Sequence, residues 1–249
     1  MVLSALDGRE LARCETPSQE SRASVLGRRV VTWEKGEDKN TLRLTDARNG
    51  QVVWKREFPS SAIFWACSAS EGGLLDKEGH FTAVNLATGD SITKAQLDPQ
   101  PELQDLIVLR NSRQFLVFAV RPNDQKKMGN NIFFAQQQAS VIMVFGKCYG
   151  VDRTAEKASW SADVQEKLLR IDQPPELPVI AFATQVYQND GKSARHYETQ
   201  FCLDKRNGQV LLEEQGNPTG MHYSLVGDPD TSTVEFRTQS KTVKFTFAP

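Results

Sequence analysis

The side chains able to do chemistry are scattered along this chain, and their spacing excludes the common constellations. His80, His196 and His222 share no metal-ligand spacing and no helix, so they read as turn or surface histidines. Cys14, Cys67, Cys148 and Cys202 are equally dispersed, with no C-x-x-C pair. They read as buried strand thiols, with two disulfides in any of three pairings as the alternative. There is no G-x-S-x-G elbow and no phosphate-cradling glycine loop; Gly72, Gly73 and Gly146 read as strand bends. The run Asp228-Pro229-Asp230-Thr231-Ser232 lacks the spaced oxygens and closing glutamate of a calcium loop, and reads as a hairpin turn.

Two segments suit recognition better than catalysis. Lys126, Lys127 and Asn130 precede Phe133 and Phe134 in an insertion over 122–139, and Asn189, Asp190 and Arg195 fall in a long hairpin loop. Cationic, amide and aromatic groups on long loops are suited to contacting a protein partner. The alternative for the phenylalanine pair is a further strand packed on the fold. Trp33, Trp65, Tyr149 and Tyr187 are the aromatics a sugar site would need at its mouth; burial between sheets is the competing reading. No catalytic residue, metal ligand or cofactor emerges, and the question of enzymatic activity stays open with the weight against it.

The elements that must position these groups are strands. Short runs rich in Val, Ile, Phe and Thr, bounded by Gly, Pro, Asn and Asp, cover 29–33, 63–67, 106–109, 115–120, 141–145, 179–187, 233–237 and 242–247. Only 162–169 has a helical pattern, about a turn long.

One phrase recurs among these strands. Asp46-Ala47-Arg48-Asn49-Gly50-Gln51-Val52-Val53-Trp54 returns from Asn85 to Thr93 with Gly89 at the same offset, from Asp152 to Trp160, and from Asp204 to Leu212 with Gly208. A degraded copy carries Ser4, Gly8 and Ala12. Each copy reads as the end of one strand, a tight Asx–Gly turn and the start of an antiparallel return strand. Trp54 and Trp160 then lie on return strands, placed to pack across to the next unit. Asp46, Asp152 and Asp204 are accordingly turn-forming acids. Strand units repeated at roughly 40–50 residues describe a propeller or solenoid.

The phrase Asp-x-x-Thr/Asn-Gly-x-x-x-Trp resembles the repeat of the PQQ-like, or quinoprotein-type, β-propeller family, over most of the chain. Asp46, Asn49, Gly50 and Trp54 match it fully; Thr88 and Gly89, Asp152 and Trp160, and Asp204, Asn207 and Gly208 match in part. The resemblance implies four-stranded antiparallel blades and often a bacterial protein. The family includes quinone-cofactor dehydrogenases and non-catalytic relatives such as an outer-membrane assembly lipoprotein. The vicinal cysteine pair that marks those dehydrogenases is missing here, which favours the non-catalytic branch. Family rings usually have seven or eight blades, more than this chain supplies.

The expected fold is therefore an all-β propeller of about five blades, six if the insertion hides strands. It is read as a single domain over 1–249, with blades near 19–59, 60–97, 98–165 and 166–216, and a last one shared between 217–249 and 1–16. The alternative is an open partial propeller completed by a partner. With 30 Lys and Arg against 31 Asp and Glu, net charge near −1 gives no reason to expect nucleic acid. The first residues lack the basic start and apolar run of a secretory signal, and no stretch approaches a membrane span. The compartment stays open, a periplasmic or extracytoplasmic site being compatible with a longer precursor. The expected function is a protein-interaction or scaffold module, alone, as a homodimer or as part of a longer chain. A carbohydrate-binding or sugar-processing propeller is the alternative, with a quinone-cofactor dehydrogenase behind it.

Overall fold

In the computed structural model the chain is a β-propeller of antiparallel sheets, with no helix among the described residues. The structure describes residues 2–3, 10–12, 22–122, 141–165, 167–189, 194–216, 223–228, 230–238 and 241–247.

β1 (Val2–Leu3) and β2 (Glu10–Ala12) form a two-stranded pair. β3 (Arg22–Leu26), β4 (Arg29–Glu34), β5 (Lys39–Asp46) and β6 (Val52–Pro59) follow as one four-stranded meander. A second meander comprises β7 (Ile63–Ala66), β8 (Glu71–Leu75), β9 (His80–Asn85) and β10 (Ser91–Gln96). The next stretch supplies β11 (Asp105–Arg110), β12 (Gln114–Val120), β13 (Val141–Val144), β14 (Gly146–Asp152) and β15 (Trp160–Asp163). Of these, β11, β12, β14 and β15 form one sheet in that order. β13 instead joins β16 (Lys167–Arg170), β17 (Val179–Asn189), β18 (Ala194–Asp204) and β19 (Val210–Gly216) in a five-stranded sheet, order β13-β16-β17-β18-β19. β20 (Tyr223–Asp228), β21 (Thr233–Thr238) and β22 (Thr242–Thr246) close the chain as a three-stranded sheet. Each sheet is wound mainly in sequence order, the blade pattern that hides apolar faces between neighbouring sheets.

Burial along the strands explains the pattern. β12 is buried over nearly its whole length, as a strand covered on both faces must be, and its sequence Gln-Phe-Leu-Val-Phe-Ala-Val is correspondingly continuous in apolar residues. β6 alternates exposed and half-buried positions, which suits a last strand with one wet face.

The chain divides into two compact units, Met1–Val108 with Arg153–Ala158, and Leu109–Asp152 with Ser159–Pro249. In the first unit Val31, Trp33, Leu42, Leu44, Phe64, Leu74, Val84 and Leu86 form one core cluster. In the second, Val179, Ala181, Cys202, Leu212, Tyr223, Leu225, Val234 and Phe236 form another. At about 1.5–3 kcal/mol for each large side chain withdrawn from water, burial in these clusters is the main stabilising term.

Two local expectations are corrected, and a third is borne out with an unexpected partner. The segment 162–169 is not helical: it contains the end of β15 and most of β16, because Lys167–Arg170 is held in a ladder with Val141–Val144. Gly72 and Gly73 are not bends but lie within the regular β8 ladder. They are glycines because a Cβ at Gly72 would meet the Phe64 ring at 2.4 Å, and one at Gly73 would meet Val108 at 2.7 Å. The strand foreseen at 141–145 exists but pairs outside its own blade. Gly146 (φ 131°) marks the corner where the chain passes from β13 into β14.

Candidate functional site

The recurring turn is built the same way three times. Asp46, Asn85 and Asp204 each accept the N–H of the glycine four residues on (Gly50, Gly89, Gly208) at 2.8–2.9 Å. Each also accepts, through its side chain, the N–H two residues on (Arg48, Ala87, Arg206) at 2.8 Å. The glycines hold φ of 70°, 82° and 73°, a left-handed conformation that a Cβ disfavours. Asp152 departs from this: it accepts the Ser159 hydroxyl at 2.7 Å and has no glycine four residues on.

Two of the turns are capped by a tryptophan from the preceding repeat. Trp54 on β6 donates its indole N–H to the Leu86 carbonyl at 3.1 Å, and Trp160 on β15 donates to the Lys205 carbonyl at 2.8 Å. Each acceptor lies three residues before the glycine beneath the ring. Arg56 adds a bond to the Gly89 carbonyl at 2.6 Å. Around Gly50 no described atom lies within 4 Å of a Cβ position; the repeat before it carries Ala12 where the others carry tryptophan. Asp46 and Asp204 thus each spend one side-chain oxygen on the turn backbone, whereas Asp152 bonds a hydroxyl.

Lys205 sits inside this second clasp. Its carbonyl also accepts the Gln114 amide at 2.6 Å, and its ammonium donates to the Pro174 and Pro175 carbonyls, each at 3.2 Å. Burial pushes its pKa down to about 8. Arg206 pairs with Asp204 at 2.9 Å, and the Asp204 bond raises the guanidinium pKa further. The same guanidinium lies 4.7 Å from the centre of the Phe247 ring.

A groove of about 620 Å³ opens in the second unit between Arg113, the Glu176–Pro178 segment, Gly227, Asp228, Ser232–Val234 and Phe247. Its two carboxylates are already occupied. Glu176 accepts the Ser112 N–H at 3.0 Å and the Ser112 hydroxyl at 2.7 Å. Asp228 accepts the Thr231 hydroxyl at 2.7 Å, which holds its pKa below the usual value, and the Asp230 N–H at 3.0 Å. This is the hairpin turn expected of the Asp228–Ser232 run, completed by Ser232 at φ 50°.

The groups expected to contact a partner fall in two places. Lys126, Lys127, Asn130, Phe133, Phe134 and Asp190 lie outside the described residues. Asn189 and Arg195 stand at the far end of the β17–β18 ladder, which pairs eleven positions from Val179↔Asp204 to Asn189↔Ala194. Among the described residues β19 accompanies β18 only from Leu203 back to Glu198, and β16 meets β17 at Leu169↔Phe182. Among the described residues Val186–Asn189 and Ala194–Tyr197 therefore run beyond both neighbours as a two-stranded arm. Four residue pairs at about 3.4 Å per residue make it roughly 13 Å long.

Trp33, 2 % exposed, stacks on Phe64 with ring centres 5.8 Å apart, and Tyr149 is buried; Trp65 is half-buried. The first two are core residues, so the aromatics a sugar site needs are not at the surface there. Cys148 and Cys202 are free thiols, Cys67 donates its thiol to the Glu71 carbonyl at 3.1 Å, and Cys14 lies outside the described residues. Burial pushes the Cys202 thiol up to about 12 and that of Cys148 well up too. His80, read as an isolated turn histidine, stands against Asp76 and Glu78. The signal was present as Asp76-x-Glu78-x-His80, an alternation across a tight turn.

No protein-family model matches the chain, and no curated protein matches it. Among solved structures it is similar to BamB from Moraxella catarrhalis, at 12% identity and TM-score 0.37, with 89% of this chain covering 74% of that one. It is similar to Kuenenia stuttgartiensis hydrazine synthase at 10% identity and TM-score 0.42, covering 85% and 52%. A europium-containing methanol dehydrogenase gives 10% identity and TM-score 0.40, covering 86% and 51%. The chain thus spans about three quarters of the first structure and about half of the other two.

Proposed function

We propose that the chain is a non-catalytic propeller of the PQQ-like repeat type that holds a protein partner, as a scaffold of its own or as a part of a longer chain. The observation that carries this reading is the β17–β18 arm, which among the described residues outruns both of its neighbouring strands. A strand edge without a neighbour presents alternate N–H and C=O groups that a partner's backbone can satisfy. Strand addition of this kind derives affinity from main-chain bonds and selectivity from alternate side chains. The Trp160 clasp supports the reading from the other side, since it fastens the β18–β19 turn of the sheet from which the arm projects. The repeat type itself is supported by the three equivalent turns at Gly50, Gly89 and Gly208.

The test is a photo-crosslinking residue introduced at Asn189, with Lys94, exposed on β10, as the control position. The expected result in the native cell is a discrete adduct from Asn189 and none from Lys94. Equal labelling from both positions, or none at Asn189, overturns the proposal.

A further inference from the structure

Asp76, Glu78 and His80 bring one ligand atom each within 4.8 Å of one another, apart from the repeat turns and the arm. They alternate across the turn between β8 and β9, and the turn is tightly fixed. The Gly79 N–H donates to the Asp76 carbonyl at 3.2 Å, and the Leu97 N–H donates to the Gly79 carbonyl at 2.9 Å. A Cβ at Gly79 would meet the Leu97 and Asp98 carbonyl oxygens at 2.5 and 2.7 Å, so the backbone is pressed against the β10 exit. Glu78 is held at both ends: its carbonyl accepts the Gln96 amide at 2.9 Å, and its Oε2 accepts the Ser61 hydroxyl at 3.3 Å.

The side chain of Asp76 is 7 % exposed, yet among the described residues no lysine or arginine is paired with it; its charged partner is His80. Oδ1 accepts the His80 N–H at 2.8 Å, which fixes the carboxylate plane. Oδ2 then faces His80 Nδ1 at 2.9 Å. A carboxylate so far out of water is unfavourable without a balancing positive charge. A metal ion seated between Nδ1 and Oδ2 would supply it. The imidazole is largely exposed, with the side chain 63 % accessible, so the ion has an entry path.

We propose that the β8–β9 turn binds a divalent first-row transition-metal ion, with Asp76 Oδ2 and His80 Nδ1 as inner ligands and Glu78 in a third position. Metal–ligand bonds of roughly 2.0–2.1 Å drawn to two atoms 2.9 Å apart meet at about 90°, the angle between adjacent ligands of a six-coordinate ion. Water completes the shell. An imidazole with two carboxylates suits zinc, nickel, cobalt or copper better than calcium or magnesium, which prefer all-oxygen sites. The Asp76 Oδ1 bond to the His80 backbone does the orienting work that outer partners do in metal sites.

The experiment is calorimetric titration of the full chain with nickel and with zinc chloride near neutral pH, alongside electron paramagnetic resonance of a copper(II)-loaded sample. The expected result is one site of micromolar affinity, weakened at least about tenfold by His80→Ala and by Asp76→Asn, and unchanged by a His196→Ala/His222→Ala double variant. Copper should show nitrogen coupling that vanishes in His80→Ala. His80→Ala alters an exposed side chain, so circular dichroism matching the parent keeps the comparison valid even where Asp76→Asn fails to fold. Binding weaker than about 1 mM, or affinity retained in His80→Ala, overturns the proposal.

Discussion

The indole of Trp160 lies directly on Gly208, so closely that a Cβ built on the glycine would come within 2.5 Å of the ring. Trp54 covers Gly89 in the same manner, at 2.9 Å, whereas the third glycine of the set, Gly50, has no described atom within 4 Å. Three backbone-equivalent corners thus differ in whether a tryptophan covers the glycine.

That difference predicts unequal responses to alanine. At Gly50 the substitution bears only the left-handed backbone penalty, about 1 kcal/mol. At Gly89 and Gly208 the methyl must also displace a tryptophan whose N–H is bonded, and the expected loss is about 2–4 kcal/mol. Urea unfolding midpoints of the three single variants check the order; a Gly50 variant as damaged as the Gly208 variant contradicts it.

Lys205 predicts an alkaline gain in stability. Its folded pKa is near 8 against the ordinary 10.5, so between those values the unfolded chain binds more protons than the folded one. Stability from this group therefore rises as pH climbs from about 8 to 10.5, by up to about 3 kcal/mol. The neutral amine keeps enough N–H groups for both the Pro174 and Pro175 carbonyls. Cys148 and Cys202 act in the opposite sense above about pH 9, because their buried thiols ionise only after unfolding. The readout is thus a difference: Lys205→Met should lose the alkaline rise relative to the parent in chemical denaturation at pH 7.5 and 10.

Ser232 is the non-glycine residue with positive φ among those described, at 50°. Its carbonyl accepts the Phe247 N–H at 2.9 Å, so the conformation is held by the fold. Ser232→Gly removes the penalty on the Cβ and should stabilise by about 1 kcal/mol, read as a rise in the thermal midpoint. A fall would mean that the serine makes a contribution larger than its backbone strain.

Glu71 and Arg153 form a two-bond ion pair at 2.5 and 3.2 Å, with side chains only 12 and 24 % exposed. A double-mutant cycle with alanine at each should give a coupling of about 1–2 kcal/mol, whereas the exposed Lys39–Glu57 pair should show none that is measurable. Equal values for the two pairs would contradict the assignment of the first as a structural fastening.

What the sequence disclosed was whatever a short stretch of backbone encodes by itself. The Asx–Gly turns were visible because the same side-chain bonds require the same residues at the same offsets, at Asp46, Asn85 and Asp204 alike. The fourth copy shows the limit. Asp152 and Trp160 keep the ends of the phrase, but Arg153–Ala158 between them belongs to the first unit, where Arg153 grips Glu71 and Gln96 bonds the Glu156 carbonyl. Nothing local in 152–160 announces partners more than fifty residues away. The pairing of β13 with β16 was hidden for a related reason, since the run from Val141 to Asp152 is apolar throughout its first half and only Gly146 marks the break. The Asp76–His80 contact leaves no trace in the spacing of the histidines, because the partners of His80 are the acids two and four residues before it.

The passage from β13 into β14 has a mechanical consequence. One uninterrupted piece of backbone is stitched into two different ladders, with Gly146 as the seam. Sliding either ladder by a single residue would drag the other with it and turn inward-facing side chains outward in both. An extra residue inserted at that seam should therefore damage two sheets at once, and the pair should come apart together under load.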